Sequence, residues 1–295
     1  TNNLRFRGAK GTIGTQNSFM ALFGNNEEKV KLLDSEIARE MGFDKTFPIT
    51  GQIYPRKTDS QISDVLSGIA QSAHKFANDI RLLQNLREIE EPFGKKQIGS
   101  SAMPYKRNPM RCERITSLAR YIICNGMNSD FTSGSQWLER TLDDSANRRL
   151  VIPETFLATD AVLNIVLGVV KGLVVYPKVI GRHVDKELPF MASENILMET
   201  VKAGGDRQKI HEKIRKYSME AATLMKETGT DNDLLDRIRK DDDFAKIRDR
   251  LSNILNPKNF IGRAPKQVDE FITTVVRPIL KKYKGLLGVE VDFKV

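Results

Sequence analysis

The stretch 64-DVLSGIAQSAHKFANDIRLLQNLREIE-90 decides the fold class. Leu66, Ile69, Ala73, Phe76, Ile80 and Leu83 recur at steps of three and four, which predicts one apolar face of a long helix. Just upstream, Thr58 with Gln61 offers a capping-box start. A second helix is predicted over 108–127, with Asn108 as N-cap and Pro109 at the first helical position. Ile115, Leu118, Ala119, Ile122 and Ile123 carry its apolar face. A third runs from about Ser145 to Val175, bent or broken at Pro153, whose ring and missing N–H disfavour a helix interior. Helices this long, apolar on broad faces and joined by short loops, predict an all-α bundle.

From about Tyr176 the pattern changes. Helices become shorter and more charged, with breaks at Gly204-Gly205, Gly229 and Asn256-Pro257. The expected division is a central bundle over 1–175 and a smaller C-terminal helical domain over 176–295. Near the end, 289-VEVDF-293 could pair as a short strand.

Composition narrows the function classes. The 295 residues are 40% hydrophobic, enough for a large core, and the net charge is +9. The basic residues are spread along the chain, and one Trp and six Tyr offer few stacking platforms, so no nucleic-acid partner is expected. A few inward-facing Arg and Lys holding an anionic small molecule fit the same charge. The most apolar segment, 156-FLATDAVLNIVLGVV-170, is interrupted by Asp160 and Asn164, which predicts a buried helix rather than a membrane span. The start, TNNLRFRGAKGTIG, has no apolar signal-peptide region. Two cysteines are too few for a disulfide framework and suit the cytoplasm. With three histidines they form no zinc-like spacing, so no metal or cofactor is expected.

Three constellations could carry chemistry. In 98-IGSSAMPYKRNPMRCER-114, hydrogen-bond donors crowd a segment that Gly99 and Pro104 make irregular, as in loops that close over an anion. Ser100 and Ser101 offer a nucleophile or base, Lys106 a cation to stabilise developing charge, and Asn108 a neutral donor. The plainer reading is a polar loop that caps a helix. In 137-WLERTLDDSANRR-149, Arg140, Ser145, Arg148 and Arg149 surround a predicted helix start, a ready phosphate site. Ordinary capping with solvated arginines is the competing reading. In 9-AKGTIGTQNSF-19 the P-loop spacing is absent, and glycine-mediated turning or close helix packing is the better explanation. His74, His183 and His211 each read as structural, and none lies near the serine loop in sequence.

GSSAMPYKRNP closely resembles the signature loop of the fumarase/aspartase lyase superfamily. ERTLDDSANRR narrows the resemblance to its adenylosuccinate lyase family, animal-type, and RFRGAKGTIGTQ, ITGQIYPRK and ELPFMASENILMETVKAGGDRQ agree with it. The resemblance covers essentially the whole chain but only the middle and C-terminal parts of the family pattern. It implies a carbon–nitrogen lyase that releases fumarate by β-elimination from adenylosuccinate and from the succinyl-carboxamide ribotide of purine biosynthesis. It further implies that Ser100 is the base and that Lys106 and Asn108 hold the succinyl carboxylates, with Ser101 beside them. Gln52 would touch substrate, and Arg114, Arg140, Ser145 and Arg149 would hold the nucleotide and its phosphate. Glu113 would orient a general-acid histidine supplied by a neighbouring subunit of a homotetramer whose active sites are composite. In the family that histidine belongs to a region N-terminal to Thr1, so a chain starting at Thr1 is expected to be nearly inactive alone. The alternatives are another lyase of the superfamily and a catalytically silent helical scaffold. LDDSANRR counts against the first, and intact Ser100, Lys106 and Asn108 count against the second.

Overall fold

The computed structural model describes residues 4–94, 102–103, 105–138 and 140–288. The expected strand at 289–293 lies outside them. The chain divides into two compact units, one running to Val175 and the other beginning at Tyr176.

The first unit opens with two helices, α1 (Asn17–Leu22) and α2 (Glu27–Glu40), and continues into three long ones, α3 (Lys57–Asn85), α4 (Met110–Gly134) and α5 (Asp144–Lys171). On α3, Ser63, Leu66, Ala70, Ala73, Ala77, Ile80 and Gln84 are buried. Their spacing alternates between three and four residues, the seam of helices that pack with a 3.5-residue repeat. Three alanines lie along this seam, so the backbone of α4 can approach closely. The larger Ile69, Phe76 and Leu83 are therefore only half-buried, to either side of the seam rather than on it. Facing it are Cys112, Ile115, Ala119 and Ile122 of α4 and Val162, Ile165 and Val169 of α5.

Several boundaries differ from the sequence reading, each for a local reason. Helix α3 starts at Lys57, and Thr58 and Gln61 fall inside it rather than forming a capping box. Its start is held instead by the Arg56 amide, which donates to Gln136 Oε1 at 2.8 Å. Helix α4 starts at Met110, one residue later than expected, with Pro109 in the N-cap position and no side-chain cap of its own. Helix α5 is not broken at Pro153 but runs on to Lys171. It stops short of Val175 because Gly172 lies against Pro92, where an added Cβ would come within 2.6 Å of the proline ring. Val174 and Val175 then form β2, antiparallel to β1 (Ile89–Glu90). The connection between α3 and α4 is long, because it carries β1 and the serine loop.

Helix α5 meets the sequence expectation of burial on one face only. Val151, Thr155, Thr159, Val162, Ile165 and Val169 are covered, while Leu150, Phe156, Leu157, Leu163, Leu167 and Val170 are exposed. By length and composition it is the one helix among the described residues apolar enough to cross a membrane. A chain that buries half of so apolar a helix leaves the other half for a further surface.

The second unit is also helical: α6 (Pro177–Met191), α7 (Ser193–Lys202), α8 (Arg207–Thr228), α9 (Leu234–Lys240), a 3₁₀ stretch Asp242–Arg250 and α10 (Leu251–Ile254). Its core gathers Ile196, Ile210, Leu234, Ile238, Phe244 and Ile247. Gly229 ends α8 in the left-handed region, at φ 70°. At the turn after α9, Asp241 accepts from Lys213 Nζ at 2.7 Å and from the Tyr217 hydroxyl at 2.8 Å. Burial pushes this carboxyl up, but the bonds from Lys213, the Asp243 amide and Tyr217 outweigh it and hold it below the usual range.

Candidate active site

Two loops reach the start of α3. Arg7 donates through one Nη to the carbonyl oxygens of Gly11 and Gly51, each at 2.8 Å, and so ties the glycine-rich segment to the ITGQ segment. Gly14 has φ +87° and lies so near Thr50 that a Cβ would sit 1.8 Å from the Thr50 carbonyl oxygen. Gly14 thus serves a turn, as one half of the sequence reading had it, but it packs against a loop segment rather than a helix. Lys10 is not free for a phosphate either, since its Nζ lies 2.6 Å from Asp34 Oδ2 and both side chains are buried. This packing places Gln52, half-buried, just ahead of α3. Gly14→Ala is expected to displace the segment at Thr50–Gln52 and to cost on the order of 3 kcal/mol, because strain at a positive φ adds to a backbone clash. Its unfolding midpoint in urea, against the parent, is the check. A shift under a few tenths of a molar would show that the segment is not held there.

The start of α5 is built by an ion-pair network. Arg56 Nε lies 2.5 Å from Asp144 Oδ2, with both side chains buried. Arg148 Nε lies 2.6 Å from Asp59 Oδ2, and its Nη2 lies 2.5 Å from the Tyr54 hydroxyl, which donates to Asp59 Oδ1 at 2.9 Å. Burial, then the bond to Asp59, push the Tyr54 phenol above its ordinary pKa, so it stays protonated as the donor. Arg148, one of the four polar residues grouped at this helix start in the sequence, is therefore occupied within the chain. Arg140 and Arg149 are exposed and Ser145 is half-buried.

The start of α4 carries the other group. Lys106 is exposed, and its amide closes a turn on the Met103 carbonyl at 2.9 Å. Asn108 is half-buried, and Glu113 and Arg114 are exposed in the first turns of the helix. Ser100 and Ser101 lie outside the described residues, as does Pro104, so the lid reading of this loop falls there too. Sequence reasoning missed Glu91, which is 2% exposed. Its two carboxylate oxygens accept from the amides of Arg111 and Cys112 at 2.9 Å each, capping α4 from outside the helix. Burial, reinforced by the Glu91 charge, pushes the Cys112 thiol far above its ordinary pKa. No linear spacing links residue 91 to residues 111 and 112, and only an acidic residue ahead of an uncapped helix could have hinted at it.

These two groups are not neighbours within one chain. Ser60 and Ser63 of α3 bond Asp130 and Ser129 of α4, while Gln84 bonds the Arg107 carbonyl, so α3 and α4 run antiparallel. Asn147 of α5 donates to Asn128 of α4 at 3.0 Å, and Tyr121 bonds Glu154, so α5 is antiparallel to α4 as well. From Glu113 to Asn128 is fifteen residues, or about 22 Å at a helical rise of 1.5 Å per residue. Lys106, Asn108, Glu113 and Arg114 therefore sit at one end of the bundle. Gln52, Arg140, Ser145 and Arg149 sit towards the other.

Two family models match the chain: "Lyase" over residues 21–124 and "Adenylosuccinate lyase C-terminus" over 189–271. The adenylosuccinate lyase of Schizosaccharomyces pombe is 52% identical over 289 residues, 98% of this chain and 60% of that protein. Those of Saccharomyces cerevisiae and Schistosoma mansoni are 50% and 48% identical, over 98% and 97% of this chain. Over nearly its whole length the chain is similar to proteins of the adenylosuccinate lyase family. It spans 60% of the length of these three members of the family. Among solved structures, a fumarate lyase from Mesorhizobium sp. BNC1 aligns with a TM-score of 0.68 at 22% identity, over 90% of this chain and 56% of its own. The 3-carboxy-cis,cis-muconate lactonizing enzyme from Pseudomonas putida aligns with the same TM-score at 20% identity, over 88% and 54%. These two likenesses show the fold alone.

Proposed function

We propose that the polypeptide carrying this chain releases fumarate from adenylosuccinate, leaving AMP, and from the succinyl-carboxamide ribotide of purine biosynthesis. The observation that carries this reading is the identity of about half the residues, over nearly the whole chain, to proteins named adenylosuccinate lyase. In the proposed step Ser100 takes a proton from the succinyl carbon beside a carboxylate. The electron pair left behind becomes the fumarate double bond as the carbon–nitrogen bond breaks, and a general acid protonates the departing nitrogen. Lys106 and Asn108 hold the carboxylates and the charge that builds on them, with Ser101 beside them, which stabilises the transition state more than the ground state. Arg114, Arg140, Ser145 and Arg149 bind the nucleotide with its phosphate, and Gln52 contacts substrate. Glu113 orients the acid histidine of a neighbouring copy.

The separation of the two residue groups by about 22 Å along α4 supports an assembly in which one copy's α4 start meets another copy's α5 start. The exposed apolar face of α5 is a surface such an assembly would cover. A homotetramer in the cytoplasm is the proposed form, acting on a small-molecule nucleotide. The test is fumarate release followed by absorbance, with Ser100→Ala alongside the parent. Loss of a positioned base lowers turnover by ~10²–10⁴-fold. A parent that releases no fumarate sinks the reading. A Ser100→Ala variant that keeps the parent rate sinks the assignment of the base.

A further inference from the structure

The two ends of the serine loop meet at a buried pair of side chains. Gln84, near the end of α3, accepts from the Glu91 amide through Oε1 at 3.1 Å and donates through Nε2 to the Arg107 carbonyl at 3.0 Å. One carboxamide thus holds both the segment entering the loop and the segment leaving it. Glu91 in turn spends both carboxylate oxygens on the amides of Arg111 and Cys112. Outside this buried layer, Arg107 Nη1 lies 3.0 Å from Glu90 Oε2, and its guanidinium lies 5.3 Å from the centre of the Phe93 ring. Residues 90–93 and 107–112 are therefore joined by one amide, one carboxylate and one ion pair. Lys106 and Asn108 sit on this stem, and Glu113 follows one residue after the amides that Glu91 holds.

We propose that Gln84 and Glu91 are positioning residues for the lyase reaction: they fix the register of the loop stem on α4, and with it Lys106, Asn108 and Glu113. This inference rests on the function proposed above. The physical basis is that a helix start exposes four amides without partners, and a carboxylate placed there satisfies two of them and complements the helix dipole. The carboxylate lies outside the helix, so the same bonds that cap α4 also fix where the preceding chain enters. Neither side chain need touch substrate. A misplacement of about 1 Å from a residue remote from the chemistry can cost ~10²-fold in rate.

The test uses Glu91→Gln and Gln84→Leu in the complete polypeptide. Glu91→Gln keeps the shape but turns one acceptor into a donor facing an amide N–H. Its kcat is expected to fall roughly a hundredfold with KM moved less than about threefold, at an unchanged folded fraction by circular dichroism. Glu91→Asp, which keeps both acceptors, should recover part of the loss. The Cys112 thiol supplies a readout independent of turnover. Removing the Glu91 charge beside it and loosening its amide should speed its reaction with a disulfide reagent on the order of tenfold. A kcat within threefold of the parent, with an unchanged thiol rate, would overturn the proposal. So would a loss of activity wholly accounted for by unfolded protein. If the parent itself releases no fumarate, the lyase reading falls separately, and the thiol rates still decide whether the clamp exists.

Discussion

Glu113→Gln and Arg149→Ala should each be nearly inactive alone and should restore one another when their subunits are mixed. The reason is the geometry of one chain. Glu113 stands in the first turn of α4, and Arg149 stands in the second turn of α5, beside Asn147, which bonds Asn128. The axial separation of about 20 Å is far beyond the reach of two side chains towards a common small molecule. If both residues serve one substrate, they come from different copies. Loss of a group that aids proton transfer costs ~10²–10⁴-fold, and loss of a charged hydrogen bond to a phosphate about 10²-fold. In a random mixture, a site takes its α4 start from one chain and its α5 start from another, so about a quarter of sites in a symmetric oligomer receive both native halves. Activity near that fraction of the parent, after co-expression or after dissociation and reassembly, is the expected result. A mixture no more active than the mean of the two variants would show that one chain supplies both groups, or that the roles are wrong.

The bundle was legible in the sequence because its helices are long and their apolar residues recur at helical steps. What the pattern could not give was which of the residues on the apolar face lie at the seam. Ile69 and Phe76 outrank Ala70 and Ala77 in hydrophobicity, yet the alanines are fully buried, because closeness of backbones rather than size selects the centre of a tight helix pair. Helix starts were misread by one or two residues for a related reason. Local caps were sought at Thr58 and Asn108, while the molecule holds these ends with Gln136 and Glu91, distant in sequence. Pro153 reads as a break in a linear scan, but packing against α3 and α4 outweighs one lost backbone bond. The motifs pointed to particular residues without saying where they stand relative to one another. RTLDDSANRR marks a helix start, and KRNP marks another, but only the antiparallel arrangement shows that the two starts face away from each other.

The Arg56–Asp144 pair should be among the most costly to break in the first unit. Arg56 is 6% exposed and Asp144 is 7% exposed, and they join the start of α3 to the start of α5 at 2.5 Å. Asp144→Ala would leave the Arg56 guanidinium buried without its partner. Breaking such a pair by removing one side costs about 3–5 kcal/mol, because the remaining charge has lost its compensation and cannot reach water. In a domain of this size that corresponds to a fall in Tm on the order of 10 °C. Replacing both members, as Arg56→Met with Asp144→Leu, removes the charges together and should cost far less than the single change. Thermal unfolding of Arg56→Met, Asp144→Leu, the double variant and the parent closes the cycle. Equal destabilisation by the single and double changes would mean that the pair contributes packing rather than charge compensation. The consequence for the site is specific. Asp144 opens α5, so the double variant, stable but without the tie, should retain its fold while Ser145 and Arg149 lose their fixed place. On the proposed function that appears as a raised KM for the nucleotide, with kcat less affected, since these residues bind the phosphate rather than move the proton. An unchanged KM in a well-folded double variant would show that the placement of α5 does not depend on this pair.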